Sequence, residues 1–422
     1  MIELYPAPTR AGRANNFLFN TPRNLDNDKI DWRYDHRLND RHSIFLRHSY
    51  LNFDRLEPGN LPLPASGGNT AVRFSKGNTA TFNWTAMLGS TIVNEARIAY
   101  VRLDGCIDTP TREQLWREFG FRGTFDREDI NGLPLFRPAG YVNIGDRSFA
   151  PDPRKQDTRQ FVDTVSINRG NHSIKAGVNI RNFVQFTGIT NFARGIWDFN
   201  GQFTRPAAGA NPGAGNSDSI ADALLGLTSS AQLSTAIDAR RHAYSYETFV
   251  QDNWKVSRKL TLNLGLRYEN QLQYVEQNDR SSNFVVDPAD PNFGTMVLVT
   301  GDSRRDRSFR QRQNNNFAPR VGFAYQLDDK TVVRSGYGVF YLGNFMLPTN
   351  ASPQFNPPFF LQTNIPTTVT AADSLVVVRN GFAPGALDPN VLAGRAVIAV
   401  WPDKFYNGMT NQWNLNIQRQ LP

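Results

Sequence analysis

The chain has a single cysteine, Cys106, in 422 residues, so no internal disulfide can form and a disulfide-stapled scaffold is excluded. It also has no apolar run near the ~18–20 residues that a transmembrane helix requires. That excludes helical membrane spans but leaves membrane barrels open, because their strands carry weak individual signals. Chemistry-bearing motifs are equally scarce. The five histidines, His36, His42, His48, His172 and His242, show no HExxH or other clustered ligand spacing, and no CxxC or Walker loop occurs. His42 and His48 share one strand face but sit roughly 20 Å apart, too far to share a metal. Gly336-Tyr337-Gly338 lies within a strand pattern, not at a strand–helix turn, which argues against a dinucleotide site. The histidines read as polar lumen or loop residues and Cys106 as a passive loop thiol. No catalytic residue, cofactor site or metal site is expected. The net charge of +8 is spread along the chain and does not form a stripe, so nucleic acid is not an expected partner.

What the chain does have is period-two alternation. In Leu260–Glu269 the residues Leu260, Leu262, Leu264, Leu266 and Tyr268 fall on one side, and Thr261, Asn263, Gly265, Arg267 and Glu269 on the other. Phe317, Val321, Phe323, Tyr325 and Leu327 likewise oppose Asn316, Arg320, Gly322 and Gln326. Trp413, Leu415 and Ile417 oppose Gln412, Asn414, Asn416 and Gln418. Ile174–Ile180 and Phe82–Leu88 repeat the scheme, whereas Arg41–Phe53 has mixed faces. Paired strands of about ten residues, long enough to cross a tilted bilayer, meet at Asn39-Asp40, Gly89-Ser90, Arg169–Asn171, Ser257–Lys259 and Asp328–Lys330. Asn411–Gln420 reads as a last strand without its hairpin partner, and Arg194–Thr204 as one more strand.

These short turns alternate with long connections over Asp54–Asn78, Asp104–Thr158, Arg205–Ala243, Asn270–Asn315 and Leu342–Met409. A soluble sandwich explains alternation within strands but not this alternation between connections. Outer-membrane barrels have short periplasmic turns and long external loops as a rule. Within the loops, Thr111–Gln114 reads as a capping box opening a short helix, and Ser219–Leu227 as a second. The expected fold is an all-β, antiparallel, up-and-down transmembrane barrel with long external loops carrying short helices.

The segments YETFVQDNWKVSRKLTLNLGLRYE, NNNFAPRVGFAYQL, RSGYGVFY, SIADALLGL, NPPFFLQ and NQWNLNIQRQLP resemble the barrel part of TonB-dependent outer-membrane receptors. The nearest type is the Oar-like group with a carboxypeptidase-regulatory-like N-terminal domain. The resemblance runs from about Asn15 to Pro422. It implies a cell-outer-membrane protein of 22 strands with a plug domain that contacts the TonB complex, energised uptake of a ligand, and no enzymatic activity. The ligand could be an oligosaccharide, a peptide or a metal chelate. Only about 11 or 12 strands are legible, and MIELYPAPTR is not a secretory leader. Residues 1–422 are therefore expected to be part of a barrel whose plug and C-terminal strands lie elsewhere. Two other functions fit the same strands: a surface adhesion or assembly protein, and a soluble β-rich carbohydrate-binding protein.

Two groups of residues are candidates for binding. Arg304, Arg305, Arg307, Arg310 and Arg312 crowd one loop and could hold an anion through guanidinium forks. Arg181, Arg267, Glu269, Arg320 and Arg334 would line the lumen and meet a plug or a ligand. Trp254, Tyr268, Tyr325, Tyr341 and Trp413 would suit interfacial girdles.

Overall fold

The computed structural model describes residues 1–12, 15–111, 113–124, 126–205, 218–343, 352–367, 376–391 and 396–421. Parts of the loops Arg205–Ala243 and Leu342–Met409, and Arg112 of the expected capping box, lie outside the described residues.

Eleven strands form one antiparallel wall: β1 (Leu25–Arg37), β2 (His42–Glu57), β3 (Ala71–Met87), β4 (Ile92–Asp108), β5 (Asp152–Arg169), β6 (His172–Ile189), β7 (Ile237–Lys255), β8 (Leu260–Gln271), β9 (Phe317–Asp328), β10 (Thr331–Tyr341) and β11 (Met409–Arg419). Each pairs with the next in chain order, and a two-residue strand, Val275–Glu276, adds to the loop end of β7. This is the up-and-down meander that the alternation predicts. β11 finds its neighbour in β10 across a long loop. The outer sides of β1 and β11 are not paired with one another among the described residues, so the wall is an open sheet there.

The turns form for local reasons. Asn39 Oδ1 accepts from the N–H groups of Arg41 and His42, each at 2.9 Å, and Ser257 Oγ from those of Lys259 (3.2 Å) and Leu260 (3.1 Å). Gly170 takes φ +59° between β5 and β6, a region that suits glycine. All five short turns lie at one end of the wall, and all the long loops at the other.

Register sorts the side chains onto two faces. Leu264 lies between Asp252 and Val321, Leu266 between Val250 and Pro319, and Tyr337 between Val321 and Trp413. The apolar face thus collects Ile30, Trp32, Leu46, Phe82, Ile98, Phe161, Ile180, Val250, Leu264, Val321 and Leu415, all of them exposed. Among the described residues no second sheet covers this face, which removes the sandwich alternative. The other face carries Asn83, Gln160, Asn179, Glu247, Arg267 and Arg320.

The polar face makes room for rings over glycine. A Cβ on Gly177 would stand 2.5 Å from the Asp163 carbonyl and 2.8 Å from the Phe249 ring, so Phe249 can lie across β6 only because Gly177 has no side chain. Gly177→Ala should cost about 1–3 kcal/mol by overpacking. Its denaturant midpoint against that of Gly265→Ala, where the added Cβ has no contact under 3.5 Å, checks this.

Three features differ from the sequence expectation. First, β2 to β7 run 16 to 19 residues, well beyond the ten or so expected, and carry the wall past the alternating segments toward the loops. Polar residues fill both faces there. On the polar face Glu57 is bound by Arg55 and by Arg73 (2.9 Å), and on the other face Asp104 is bound by Lys155 (3.5 Å), which hides the strand ends from a periodicity test. Second, Ile196–Phe199 within Arg194–Thr204 is not a wall strand. It joins a separate four-stranded sheet in the order Gln362–Pro366, Ser230–Ser234, Ile196–Phe199, Leu135–Pro138, whose last pairing is parallel. Third, the helix α1 (Leu115–Glu118) starts from Gln114 with no side-chain cap, so the capping box at Thr111 does not form. α2 (Ser219–Leu225) does form, capped by Asp218, whose carboxylate accepts from Ile220 N–H at 2.9 Å.

That small sheet is the centre of a cap. Trp197, Phe136, Phe199, Leu233, Ile144 and Phe382 are buried together, drawn from loops far apart in sequence. The Trp197 and Phe382 rings sit 4.6 Å apart, and those of Phe136 and Phe199 5.7 Å. Arg194, wholly enclosed, donates to the carbonyls of Leu133 (3.2 Å), Asn131 (2.9 Å), Ala150 (2.6 Å) and Arg147, and so ties three loop turns together. Beside it, burial pushes the Asp146 carboxyl above its ordinary range against the pull of Arg194, while the Leu133 N–H and Ser66 hydroxyl donate to it.

The histidines are also placed differently from expectation. Register puts all five on the apolar face, each beside a ring. His172 stacks on Trp254 at 5.2 Å and binds Asp252 through Nδ1 at 2.6 Å. His42 stacks on Trp84 at 5.7 Å, and His48, His36 and His242 neighbour Trp32, Tyr34 and Tyr244. At the turn ends of their strands, His42 and His172 keep their apolar area covered by an indole while their nitrogens can bond, as an interfacial position requires.

Candidate functional site

All five polar-face candidates share one side of the wall: Arg181 on β6, Arg267 and Glu269 on β8, Arg320 on β9 and Arg334 on β10. Three of them meet around a fourth residue, Glu247 of β7, which is 1% exposed. Arg181 and Arg267 each donate to the Glu247 carboxylate, one to each oxygen, and Arg267 Nε also reaches Glu269 at 2.9 Å. Asn179 (3.0 Å) and the Ser245 hydroxyl (2.9 Å) complete the shell, and Gln160 holds Asn179 at 2.9 Å. Charges of alternating sign thus cross β6, β7 and β8. Fixed dipoles and charges of this kind hold a polar surface in shape without a hydrophobic core behind it.

Arg320 and Arg334 stand apart from this network. Arg320 lies over the Phe340 ring at 4.7 Å, and Arg334 pairs in register with Ala324 and Asn416. Glu247 was the residue missed by reading single strands. Its place in the polar row of β7 is visible in the alternation with Phe249 and Gln251, but only register puts it between two arginines.

The arginine-rich loop is more ordered than its composition suggests. Arg304–Ser308 forms a short helix, α3, capped by the Ser303 hydroxyl. Arg304 donates to the Gln273 carbonyl (2.6 Å), Arg305 forks onto Asp403 (3.3 and 3.2 Å), and Arg307 binds Asp279 (2.6 Å) and the Glu276 carbonyl (2.9 Å). Arg310 is buried between the rings of Trp401 (3.8 Å) and Phe405 (4.3 Å), and burial lowers it to about 10, still cationic at neutral pH. Among the described residues Arg312 spends only Nε, on Asn270 Oδ1 at 3.2 Å. Four of the five are therefore held mainly by the protein's own groups or rings, and Arg312 is the most available.

The ring residues Trp254, Tyr268, Tyr325, Tyr341 and Trp413 all fall on the apolar face. Trp254 and Tyr325 sit toward the turns and Tyr268 and Tyr341 toward the loops, but Trp413 lies at mid-strand opposite Tyr337. Among the described residues, no three His, Cys, Asp or Glu side chains gather as a metal site.

An exposed apolar face, a charged opposite face, turns at one end and a folded loop cap at the other define a membrane-spanning β-barrel wall. The chain belongs to the outer membrane β-barrel family: the family described as "Outer membrane beta barrel domain" matches residues 1–422. It is accordingly a protein of the outer membrane, with its apolar face to lipid and its polar face to the lumen. The soluble carbohydrate-binding alternative is set aside.

Among solved structures the chain is similar to the copper transporter OprC (11% identity, TM-score 0.46, 97% of this chain and 44% of that one). It is also similar to the outer membrane transporter YddB from Escherichia coli (12%, 0.44, 76% and 32%). A third is the ferric-catecholate import receptor Fiu from E. coli K12 (13%, 0.42, 81% and 48%). The chain spans less than half the length of each. A search of the curated proteins by sequence finds no match.

The lipid assignment has a direct consequence for Leu264, which is 39% exposed at the centre of the apolar row of β8. Leu264→Asp, which sets a second carboxylate beside Asp252, should destabilise the protein in lipid by about 2–4 kcal/mol. Asn263→Asp, one residue away on the lumen face, should cost under about 1 kcal/mol. Urea titrations in vesicles, followed by tryptophan fluorescence, compare the two.

Proposed function

We propose that this chain forms part of the barrel and the surface cap of a TonB-dependent receptor of the Oar-like type, which captures a ligand outside the cell and imports it with energy relayed through TonB. The observation that carries the reading is the Arg181–Glu247–Arg267–Glu269 network. A wall meant only to anchor a surface protein can be lined with small neutral residues. A fixed ladder of buried charge on the lumen face suits a barrel that must hold a polar plug or pass a polar ligand. The unpaired sides of β1 and β11 support further strands completing the cylinder, because open backbone edges are not tolerated in hydrocarbon.

Uptake separates this reading from adhesion. Cells carrying the intact receptor are expected to accumulate at least one of a labelled oligosaccharide, a peptide or a ferric chelate, and to lose accumulation when TonB is removed or the proton gradient is collapsed. Surface attachment without accumulation of any of the three would assign the protein to adhesion or assembly instead.

A further inference from the structure

At the loop end of the wall, where the chain enters β9 and β11, the segments Gln311–Asn315 and Lys404–Tyr406 face each other across a cleft of about 240 Å³. That is below the roughly 300–1,000 Å³ of sites for drug-sized ligands and suits a single sugar ring. Both walls are braced. Gln311 takes a backbone bond from its N–H to the Asp403 carbonyl at 2.7 Å, and Gln313 Oε1 accepts from Asn407 N–H at 2.6 Å. Behind the second wall, Phe405 is stacked on buried Arg310.

The groups left over in the cleft are of three kinds. Arg312 has no protein partner for either Nη among the described residues, and Lys404 forms no ion pair among them. Asn314 uses only its carbonyl, accepting from Asn270 at 3.3 Å, and the Asn315 side chain makes no hydrogen bond among them. Tyr406 shows 70% of its surface. Among the described residues no Asp or Glu lines the cleft. The next residue, Asn316, does not line the cleft but is wholly enclosed behind it in sequence, and neither atom of its carboxamide has a protein partner among the described residues. Enclosed amides without partners are rare and mark places where a further polar group belongs.

We propose that this cleft is a subsite for an acidic sugar residue of an oligosaccharide. The assignment rests on the receptor reading above and names the ligand class within it. Arg312 presents a planar fork that matches a carboxylate, with Lys404 as a second charge. Asn314 and Asn315 offer donors and an acceptor to ring hydroxyls. The face of Tyr406 can take the apolar C–H side of a pyranose. The same cations would attract a ferric citrate chelate, but the amides and the free ring have no task on such a ligand.

Calorimetric titration of the intact receptor in detergent with trigalacturonate tests the assignment, with maltotriose and ferric citrate as the other probes. Trigalacturonate is expected to bind, and Arg312→Gln and Lys404→Gln each to weaken it about tenfold. Maltotriose is expected to bind about tenfold or more weaker. Heat-modifiable migration on gels confirms that each variant is folded. Failure of trigalacturonate to bind, binding unmoved by both substitutions, or equal binding of maltotriose or ferric citrate overturns the proposal. If trigalacturonate binds as described but is not accumulated in a TonB-dependent manner, the cleft stands and the uptake reading falls. Accumulation of another ligand without trigalacturonate binding does the reverse.

Discussion

Glu247→Leu is expected to lower the stability of the protein in lipid by about 3–5 kcal/mol. The carboxylate is enclosed and holds one arginine from each neighbouring strand, so its loss leaves Arg181 and Arg267 facing each other without an anion between them. Both arginines keep roughly a quarter of their side-chain surface exposed, 28% and 26%, which places the loss toward the lower end of that range. Asn179 and Ser245 would lose their acceptor as well. The triple replacement of Glu247, Arg181 and Arg267 by leucine should recover part of the loss, because the two clustered cations go with the anion and only Glu269, 14% exposed, is left without its arginine. Urea midpoints for the single and triple variants check both halves. A single variant within about 1 kcal/mol of the parent would mean that water already screens the network.

Trp197→Ala should open the cap while leaving the wall intact. Trp197 is fully buried against Phe382 and Phe136, and aromatic-to-alanine changes in cores cost about 3–5 kcal/mol. Its indole N–H has no hydrogen-bond partner among the described residues, so the loss is one of packing. Trp197→Phe should therefore be far milder. Limited proteolysis of outer-membrane vesicles should show the alanine variant cleaved in the loops between 109 and 151 and between 352 and 391, while the barrel keeps its heat-modifiable migration. Resistance equal to the parent would mean that the cap is held by its polar ties, chiefly Arg194, and not by its core.

The wall was legible in the sequence because lipid on one side and water on the other impose a period of two that the eye can follow. Leu260–Tyr268 and Phe317–Leu327 carry the signal almost without interruption. It fails where the environment stops being two-sided. Beyond the bilayer, Arg55, Glu57 and Arg73 on one face are matched by Lys76, Asp104 and Lys155 on the other, so the strands continue unseen. The cap was illegible for a different reason: its core joins Phe136, Trp197, Leu233 and Phe382 across nearly 250 positions, and no local pattern in any one loop reports that closure. The histidines illustrate a third limit. Polarity alone assigns them to the wet side, whereas register puts them on the apolar face, where stacking against Trp84 and Trp254 makes His42 and His172 compatible with the membrane interface. In the arginine-rich loop composition indicated charge, but only contacts showed that most of it is spent within the protein.

One measurement bears on the orientation of the wall more directly than any variant's stability. Spin labels placed singly at positions 262 through 266, in a protein with Cys106→Ser, can be exposed to oxygen and to a water-soluble nickel chelate. Labels at Leu262, Leu264 and Leu266 should relax with oxygen, and labels at Asn263 and Gly265 with nickel, alternating residue by residue. Leucine sites inaccessible to both reagents would place those rows inside a dry protein interior and contradict the barrel.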